Sequence, residues 1–150
     1  MLSKRAQYSI LALTRLAREY KSGPVLIGEI SKTERIPKKF LEAILLELKQ
    51  AGVLGSKKGK GGGYFLVKDP GEINLAEVIR LFDGAIALIP CATYKFYKPC
   101  QHCKDEMTCG IRSVIKDIRD ETVNMLKNIS LSDIIVREEQ LLKKYKKNNI

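Results

Sequence analysis

The chain has 150 residues, of which 45% are hydrophobic and 29% are charged, a composition typical of one folded domain. No apolar run approaches the roughly 20 residues that cross a bilayer, so we expect no membrane span. Charges at Lys4, Arg5, Arg15 and Arg18 interrupt the first apolar stretch and argue against a signal peptide. We therefore expect a cytoplasmic protein, in which structural disulfides are rare.

The net charge of +10 is concentrated in the first half of the chain. Residues 1–68 hold 14 Lys and Arg against 5 Asp and Glu, whereas residues 69–150 hold 13 against 12. Such an asymmetry is typical of a surface that meets phosphates, which predicts a nucleic-acid partner. The alternative is a basic face that serves only solubility.

The first half of the sequence predicts three helices. Apolar residues at helical spacing predict the first over residues 4–20, and a short second helix fits residues 28–32. The third starts at Pro37, carries Leu41, Ile44, Leu45 and Leu48 on one face, and ends at Gly52. A tight turn joins the last two, so the pattern predicts a helix-turn-helix.

A glycine-rich hairpin follows the third helix. Short strands are predicted at residues 53–54 and 64–67, and the tip between them carries Lys57, Lys58 and Lys60. Glycines allow a close approach to a ligand, and lysines reach phosphates or a narrow minor groove. The segment lacks the Gly-Lys-Ser/Thr ending of a nucleotide-binding loop, so we interpret it as a wing.

A fourth helix is predicted to run from its cap at Asn74 to Gly84, with Glu77 completing a capping box. Beyond the cysteine-containing segment lies an a/d-type apolar seam, which predicts a long dimerisation helix and a homodimer. The alternative is that the seam packs on its own domain. A second amphipathic stretch with a basic tail ends the chain. The seam residues are Ile111, Ile115, Ile118, Thr122, Met125 and Ile129.

These elements predict a mainly α fold with a small β-hairpin wing, a winged helix-turn-helix followed by a long dimerisation helix. We expect residues 1–84 to form the DNA-binding domain, residues 85–110 a cysteine-containing sensor loop, and residues 111–150 the dimerisation helix and a helical tail.

Four stretches carry a specific resemblance to a known family: YSILALTRLA, FLEAILLELKQAGVL, KKGKGGGYFLVKDPGEINLAEVIRLFDG, and CGIRSVIKDIRD with NISLSDII. They cover most of the chain and resemble the IscR/NsrR/CymR type of bacterial winged-helix regulators. The resemblance implies a dimeric DNA-binding transcriptional regulator, with a repressor as the expected mode, which binds a pseudo-palindromic double-stranded DNA operator. It also implies that an iron-sulfur cluster serves as sensor in some members.

The resemblance also implies the residues that contact DNA. Glu42 lies where a glutamate reads a base in some relatives, and a carboxylate is a suitable acceptor for cytosine N4. Its alternative is a solvated helix residue. Lys38 and Lys39 at the helix start, and Lys58 in the wing, are expected to contact phosphates or groove edges. Relatives often have arginine at Lys58, and lysine lacks the planar fork of a guanidinium.

All four cysteines of the chain lie between Cys91 and Cys109. Cluster-bearing relatives have three cysteines, which match Cys91, Cys103 and Cys109, and a fourth ligand at positions that here hold Arg112 or Gln7. Neither side chain is a suitable ligand. Cys100 is additional, and four thiolates commonly hold an iron-sulfur cluster, so we expect a [2Fe–2S] or [4Fe–4S] cluster on Cys91, Cys100, Cys103 and Cys109.

Other chemistries stay open for the four thiols. They also make a tetrahedral zinc set, for which His102 is a substitute ligand, although an exposed loop position is the simpler interpretation of this histidine. A redox thiol switch, or no ligand at all, are further alternatives. We expect the flanking Lys95, Lys98 and Lys104 to favour thiolates.

Catalysis finds little support in the sequence. A dithiol oxidoreductase would use Cys100 and Cys103, but their segment follows no buried strand and the chain lacks a βαβ pattern. With one histidine and no nucleophile-base pair, we expect no enzyme. The sequence therefore predicts a transcriptional regulator controlled through its cysteine loop.

Overall fold

The computed structural model describes residues 2–148, which contain six α-helices and one two-stranded antiparallel sheet. Two short 3₁₀ turns lie at Pro70–Glu72 and Pro90–Ala92. The elements are α1 Lys4–Arg18, α2 Ile27–Glu34, α3 Lys38–Gln50, β1 Leu54–Lys57, β2 Gly63–Leu66, α4 Leu75–Asp83, α5 Gly110–Lys127 and α6 Leu131–Asn148.

The core lies where α1, α2 and α3 meet the sheet. Apolar residues at helical spacing place one face of each helix inward, and the whole apolar face of α3 is buried. Removing such side chains from water is the main force that holds the three helices together. The fully buried members of this core include Leu13, Ile30, Leu41, Ile44, Leu45, Leu48 and Leu131.

Leu131 is the unexpected member of this core. It begins α6, which the sequence pattern groups with the dimerisation helix, yet its side chain is completely buried in this core, where α6 packs against α1 and the Pro70–Glu72 turn. Backbone hydrogen bonds hold the segment there, since Leu131 N–H donates to the carbonyl of Ile73 and Leu75 N–H donates to the carbonyl of Ile129, each at 3.0 Å. The end of α5 is thereby fastened to the start of α4.

The mainly helical class with a β-hairpin wing is confirmed. The two strands pair in the register Leu54↔Leu66 to Lys57↔Gly63. The first strand is longer than predicted, so Lys57 lies on β1 and not in the tip. The reason is that Gly62 N–H donates to the Gly59 carbonyl at 3.0 Å, which confines the turn to residues 58–62.

Helix boundaries differ from the sequence expectation in a few places. The first helix ends at Arg18, and α2 runs from Ile27 to Glu34, longer than expected at both ends. Asn74 caps α4 as predicted, accepting from Glu77 N–H at 3.0 Å. The reciprocal capping box occurs instead between Asp69 and Glu72. Among the described residues, no helix combines the length and apolarity that a bilayer crossing requires.

Candidate functional site

The first turn of α3 carries positive charge that no acidic residue of the same turn balances. Lys38 and Lys39 are exposed there, no acidic residue lies in that turn, and Pro37 provides no side-chain cap for the free backbone N–H groups. The N-terminus of a helix already carries partial positive charge, so two lysines cost the isolated helix about 0.3–1 kcal/mol each. The arrangement suits a phosphate, which would satisfy both the amides and the ammonium groups.

Glu42 lies one turn further along α3 on its exposed side. The opposite face of the helix is locked in the core, which fixes the direction in which the carboxylate projects. Arg35 lies in the turn before α3 with a left-handed backbone, φ 53°, and its exposed side chain adds another positive charge three residues before Lys38. Sequence reasoning missed Arg35, although a basic residue in the turn of a helix-turn-helix was a usable signal.

The wing is anchored to the rest of the domain by two sets of bonds. Val25 and Tyr64 exchange backbone hydrogen bonds of 2.8 and 2.9 Å, which fastens β2 to the linker before α2. On the other strand, Lys49 Nζ of α3 donates to Ser56 Oγ at 2.7 Å. The exposed Lys57, Lys58 and Lys60 therefore project from a hairpin whose base is fixed relative to α3.

The cysteine loop is fastened to α5 at its first cysteine. Cys91 lies in a 3₁₀ turn with only 7% of its surface exposed, and Arg112 Nε of α5 donates to its carbonyl at 3.0 Å. Arg119, two turns further along, donates to the carbonyl of Ala92 and, at 2.8 Å, to the hydroxyl of Tyr94. Sequence reasoning missed both contacts, because nothing in the spacing pairs these arginines with the loop.

The last cysteine of the loop begins α5. Cys109 is the N-cap residue, and its Sγ accepts the backbone N–H of Arg112 at 3.5 Å. Loss of hydration raises the pKa of the Cys103 thiol, and the neighbouring Cys109 and Cys100 raise it further. The raised pKa of Cys103 is opposite to the direction expected from the flanking lysines, whose effect on the other three thiols stays a prediction.

The four cysteines are free, and their donor chemistry fits an iron-sulfur cluster or zinc. Cys109 and Cys100 both act on the pKa of Cys103, whereas Cys91 lies in the Pro90–Ala92 turn with its carbonyl bonded to Arg112. Across residues 2–148, no group of three or more His, Cys, Asp or Glu side chains is gathered closely enough to hold a metal ion. A ligand would have to draw the loop thiols together.

The other side chains considered as ligands are engaged elsewhere or exposed. Gln7 accepts from Lys4 Nζ at 3.2 Å and donates to the Leu2 carbonyl at 2.9 Å. His102 is exposed in the loop, and Arg112 bonds the loop backbone as described above.

Comparison with known proteins places nearly the whole chain in one family. Residues 2–137 match the family described as Rrf2, iron-dependent transcriptional regulator. The chain is 36% identical over 138 residues to a protein of Rhodobacter capsulatus named as an rrf2-like HTH-type transcriptional regulator, a match covering 90% of this chain and 92% of that protein. It is 29% identical over 140 residues to the HTH-type transcriptional regulator IscR of Cronobacter sakazakii, covering 93% and 83%.

Solved structures show the same fold. CymR of B. subtilis, described as the global cysteine regulator, superposes with a TM-score of 0.75 at 26% identity, over 89% of this chain and 95% of that one. IscR of T. potens also gives 0.75, at 23% identity, over 94% and 90%. The relatives are named as transcriptional regulators, which are not enzymes, so the prediction that the chain has no enzymatic activity is confirmed. The chain belongs to the Rrf2 family of transcriptional regulators.

Proposed function

We propose that this protein is a homodimeric repressor that binds a pseudo-palindromic operator in the cytoplasm and is controlled by an iron-sulfur cluster on its cysteine loop. The observation that carries the proposal is the position of Cys109. It is at once a candidate ligand and the N-cap of α5, the helix predicted to dimerise. A change at the loop therefore acts on the residue that starts that helix.

The DNA-binding part rests on the surface formed by α3 and the wing. The lysines of this surface are exposed, and the wing base is bonded to α3 and to the linker before α2, so both parts would meet DNA as one unit. Phosphate contacts would come from Lys38, Lys39, Lys57, Lys58 and Lys60, and base contact from Glu42.

The dimer rests on apolar surface that one chain leaves open. Ile111, Val114, Ile118 and Met125 of α5 are between 45% and 74% exposed, and all lie toward one side of the helix. Large contiguous apolar patches are uncommon on soluble monomers and mark interaction surfaces. Ile129, expected to extend this seam, lies beyond the end of α5 and bonds to α4.

In the sensing part, Cys91, Cys100, Cys103 and Cys109 would hold the cluster. A bound cluster would supply an electron-accepting centre that is also sensitive to oxidants. The thiols must lose their protons on binding, and the raised pKa of Cys103 makes its proton the more difficult to remove. Drawing the thiols together would move the loop relative to α5 and so shift the placement of the two DNA-binding heads.

DNA binding is tested with duplexes selected from a random pool, whose affinity is then measured between about 50 and 200 mM salt. The triple variant Lys38→Gln/Lys39→Gln/Lys58→Gln should bind more weakly, with a salt slope smaller by about 0.9 for each lost phosphate contact. A matched control with the same charge change is Lys143→Gln/Lys144→Gln/Lys146→Gln, on the exposed part of α6. Equal losses in both triples, or affinity independent of salt, would contradict the assigned surface.

Ligand identity is tested by anaerobic purification, visible absorption, and iron, sulfide and zinc analysis. We expect a coloured protein with iron and sulfide, and loss of both in Cys100→Ser. Colourless, iron-free protein with one zinc per chain would show that the loop binds zinc and no cluster. Protein without metal, whose DNA affinity changes on reversible thiol oxidation, would show that the loop is a thiol switch. The double variant Cys100→Ser/Arg112→His should regain a cluster if Cys100 takes the place of the fourth ligand that relatives carry at the Arg112 position.

A further inference from the structure

Two arginines of α5 contact the first part of the cysteine loop, residues 91–96, which we call the Cys91 arm. Arg112 and Arg119 are seven residues apart, about two helical turns, so they lie on the same side of the helix. Arg112 bonds Cys91, and Arg119 bonds Ala92 and Tyr94. Both side chains therefore contact the same short stretch of the loop. The exposed apolar residues Ile111, Val114, Ile118 and Met125 lie toward a different side of α5.

Arg112 touches both ends of the cysteine set. Its Nε donates to the carbonyl of Cys91 at 3.0 Å, while its backbone N–H donates to the sulfur of Cys109 at 3.5 Å. Its guanidinium also lies 3.9 Å from the carboxylate of Glu106, three residues before Cys109. One residue thus relates the first and last thiols of the loop, which are 18 positions apart in the sequence.

Arg119 is buried, with 5% of its surface exposed, which is costly for a charged side chain unless its N–H groups are paired. It donates to the Ala92 carbonyl, to the Tyr94 hydroxyl at 2.8 Å and, from Nε, to Asp120 at 2.9 Å. The guanidinium also lies 4.0 Å from the ring centre of Tyr94, a cation–π contact. Planar and multiply bonded, it holds the arm in a way that lysine cannot reproduce.

The same loop reaches the DNA-binding domain at its other side. The ring of Phe96 lies against Gly84, the residue that ends α4, where an added Cβ would be 3.8 Å from the ring. Residue Asp83, next to it, accepts the backbone N–H of Ser3 at 2.9 Å, and Ser3 is the N-cap of α1. The Cys91 arm therefore contacts both α5 and the end of the predicted DNA-binding domain.

We propose that Arg112 and Arg119 are positioning residues that hold the Cys91 arm against α5, so that a displacement of the first thiol on ligand binding is transmitted to the dimer helix. The ligand-binding part rests on the proposed function. The holding of the arm does not, because it rests on the hydrogen bonds of Arg112 and Arg119 described above.

The test measures alkylation of each cysteine by iodoacetamide in the full-length, ligand-free protein, followed by mass spectrometry. In the wild type, Cys91 should react much more slowly than the exposed Cys100. Arg119→Gln should accelerate Cys91 by about tenfold or more, because the arm opens more often, and leave Cys100 unchanged. Arg137→Gln, an exposed arginine of α6, is the matched control and should change neither rate.

Conservative variants separate holding of the arm from loss of folding. Arg112→Lys should keep most of the protection that Arg112→Gln loses, because one donor suffices for the Cys91 carbonyl. Arg119→Lys should fail to rescue, because three separate acceptors depend on the fork. Tyr94→Phe removes one acceptor and should accelerate Cys91 only about two- to threefold. Far-UV circular dichroism reports whether each variant is folded, and the rate of the exposed Cys100 controls for the reactivity of the reagent.

Cys91 rates within about twofold of wild type in both glutamine variants would overturn the proposal. Loaded protein provides the second reading. With reconstituted cluster, Arg119→Gln should release iron to a chelator faster than wild type and change its visible circular dichroism. Should the protein bind no cluster, the proposed sensing function fails while the alkylation result still decides whether the arginines hold the arm.

Discussion

Val25 and Tyr64 exchange both of their backbone hydrogen bonds, with N···O distances of 2.8 and 2.9 Å. This single antiparallel bridge joins the linker before α2 to the second strand of the wing. Gly63 precedes Tyr64 with φ 142°, and a Cβ at that position would overlap the carbonyl of Val25. The close approach of the two backbones thus requires glycine as the third residue of the GGGY sequence.

Gly63→Ala should therefore destabilise the domain and weaken DNA binding. Backbone strain and the overlap with Val25 should lower the free energy of unfolding by about 2 kcal/mol or more, measured by urea denaturation. The control is Gly28→Ala in α2, where a Cβ meets nothing within 4 Å, and which should stabilise by about 0.5–1 kcal/mol. Equal effects of the two substitutions would show that the bridge does not constrain the wing.

Glu42→Gln should change operator preference more than overall affinity for DNA. The carboxylate is exposed on α3, where it can accept from a base, and a good base contact is worth about 1–3 kcal/mol of discrimination. Selection from random duplexes should lose preference at one position in each half-site, while the salt slope stays the same. Glu139→Gln on α6 should leave the selected sequence unaltered. An unchanged preference in Glu42→Gln would identify this residue as a solvated helix glutamate.

Ile118→Lys should separate the two subunits. The side chain is 45% exposed at the centre of the α5 seam, and a charge there would be desolvated in a dimer. We expect the dimer dissociation constant to rise by at least about tenfold, measured by analytical ultracentrifugation. Ser113→Lys, on the opposite side of α5, should leave the constant unchanged. A wild type that sediments as a monomer would contradict the dimer itself.

Asp133 should make stability depend on pH in the acidic range. It accepts from the Ser130 hydroxyl at 2.6 Å and from Ser130 N–H at 2.8 Å, and these bonds lower the pKa of the carboxyl below its ordinary 3.8. A lowered folded-state pKa stabilises above the ordinary value and loses this effect as the pH falls through the folded value. Asp133→Asn should therefore reduce stability at neutral pH.

The difference between wild type and Asp133→Asn should shrink as the pH falls below 3.8, and urea denaturation at neutral and acidic pH measures it. Asp117→Asn, an exposed residue of α5, is the control and should not reproduce this pH dependence. A difference that stays constant across the range would mean that the charge of Asp133 contributes nothing to stability through its bonds to Ser130.

Several features of the site follow from local patterns in the sequence. The apolar face of α3 predicts which residues are buried and hence that Lys38, Lys39 and Glu42 face outward. The glycine cluster with lysines predicts a hairpin wing, although its first strand extends further than the apolar residues indicate. The family resemblance adds the expected role of the cysteines as ligands. These features depend on neighbours within a few residues, which is why spacing reveals them.

Contacts between distant segments needed the tertiary structure. Composition and periodicity determined the basic half of the chain, the helix-turn-helix and the four-thiol loop. Only the tertiary structure shows that Leu131 lies in the core and that Ile129 lies beyond the end of α5. Only the tertiary structure shows that Arg112 and Arg119 bond the Cys91 arm. An arginine on an amphipathic helix has no local signal for a carbonyl some 20 residues away. Its partner is decided when the loop closes onto α5 and buries the guanidinium there.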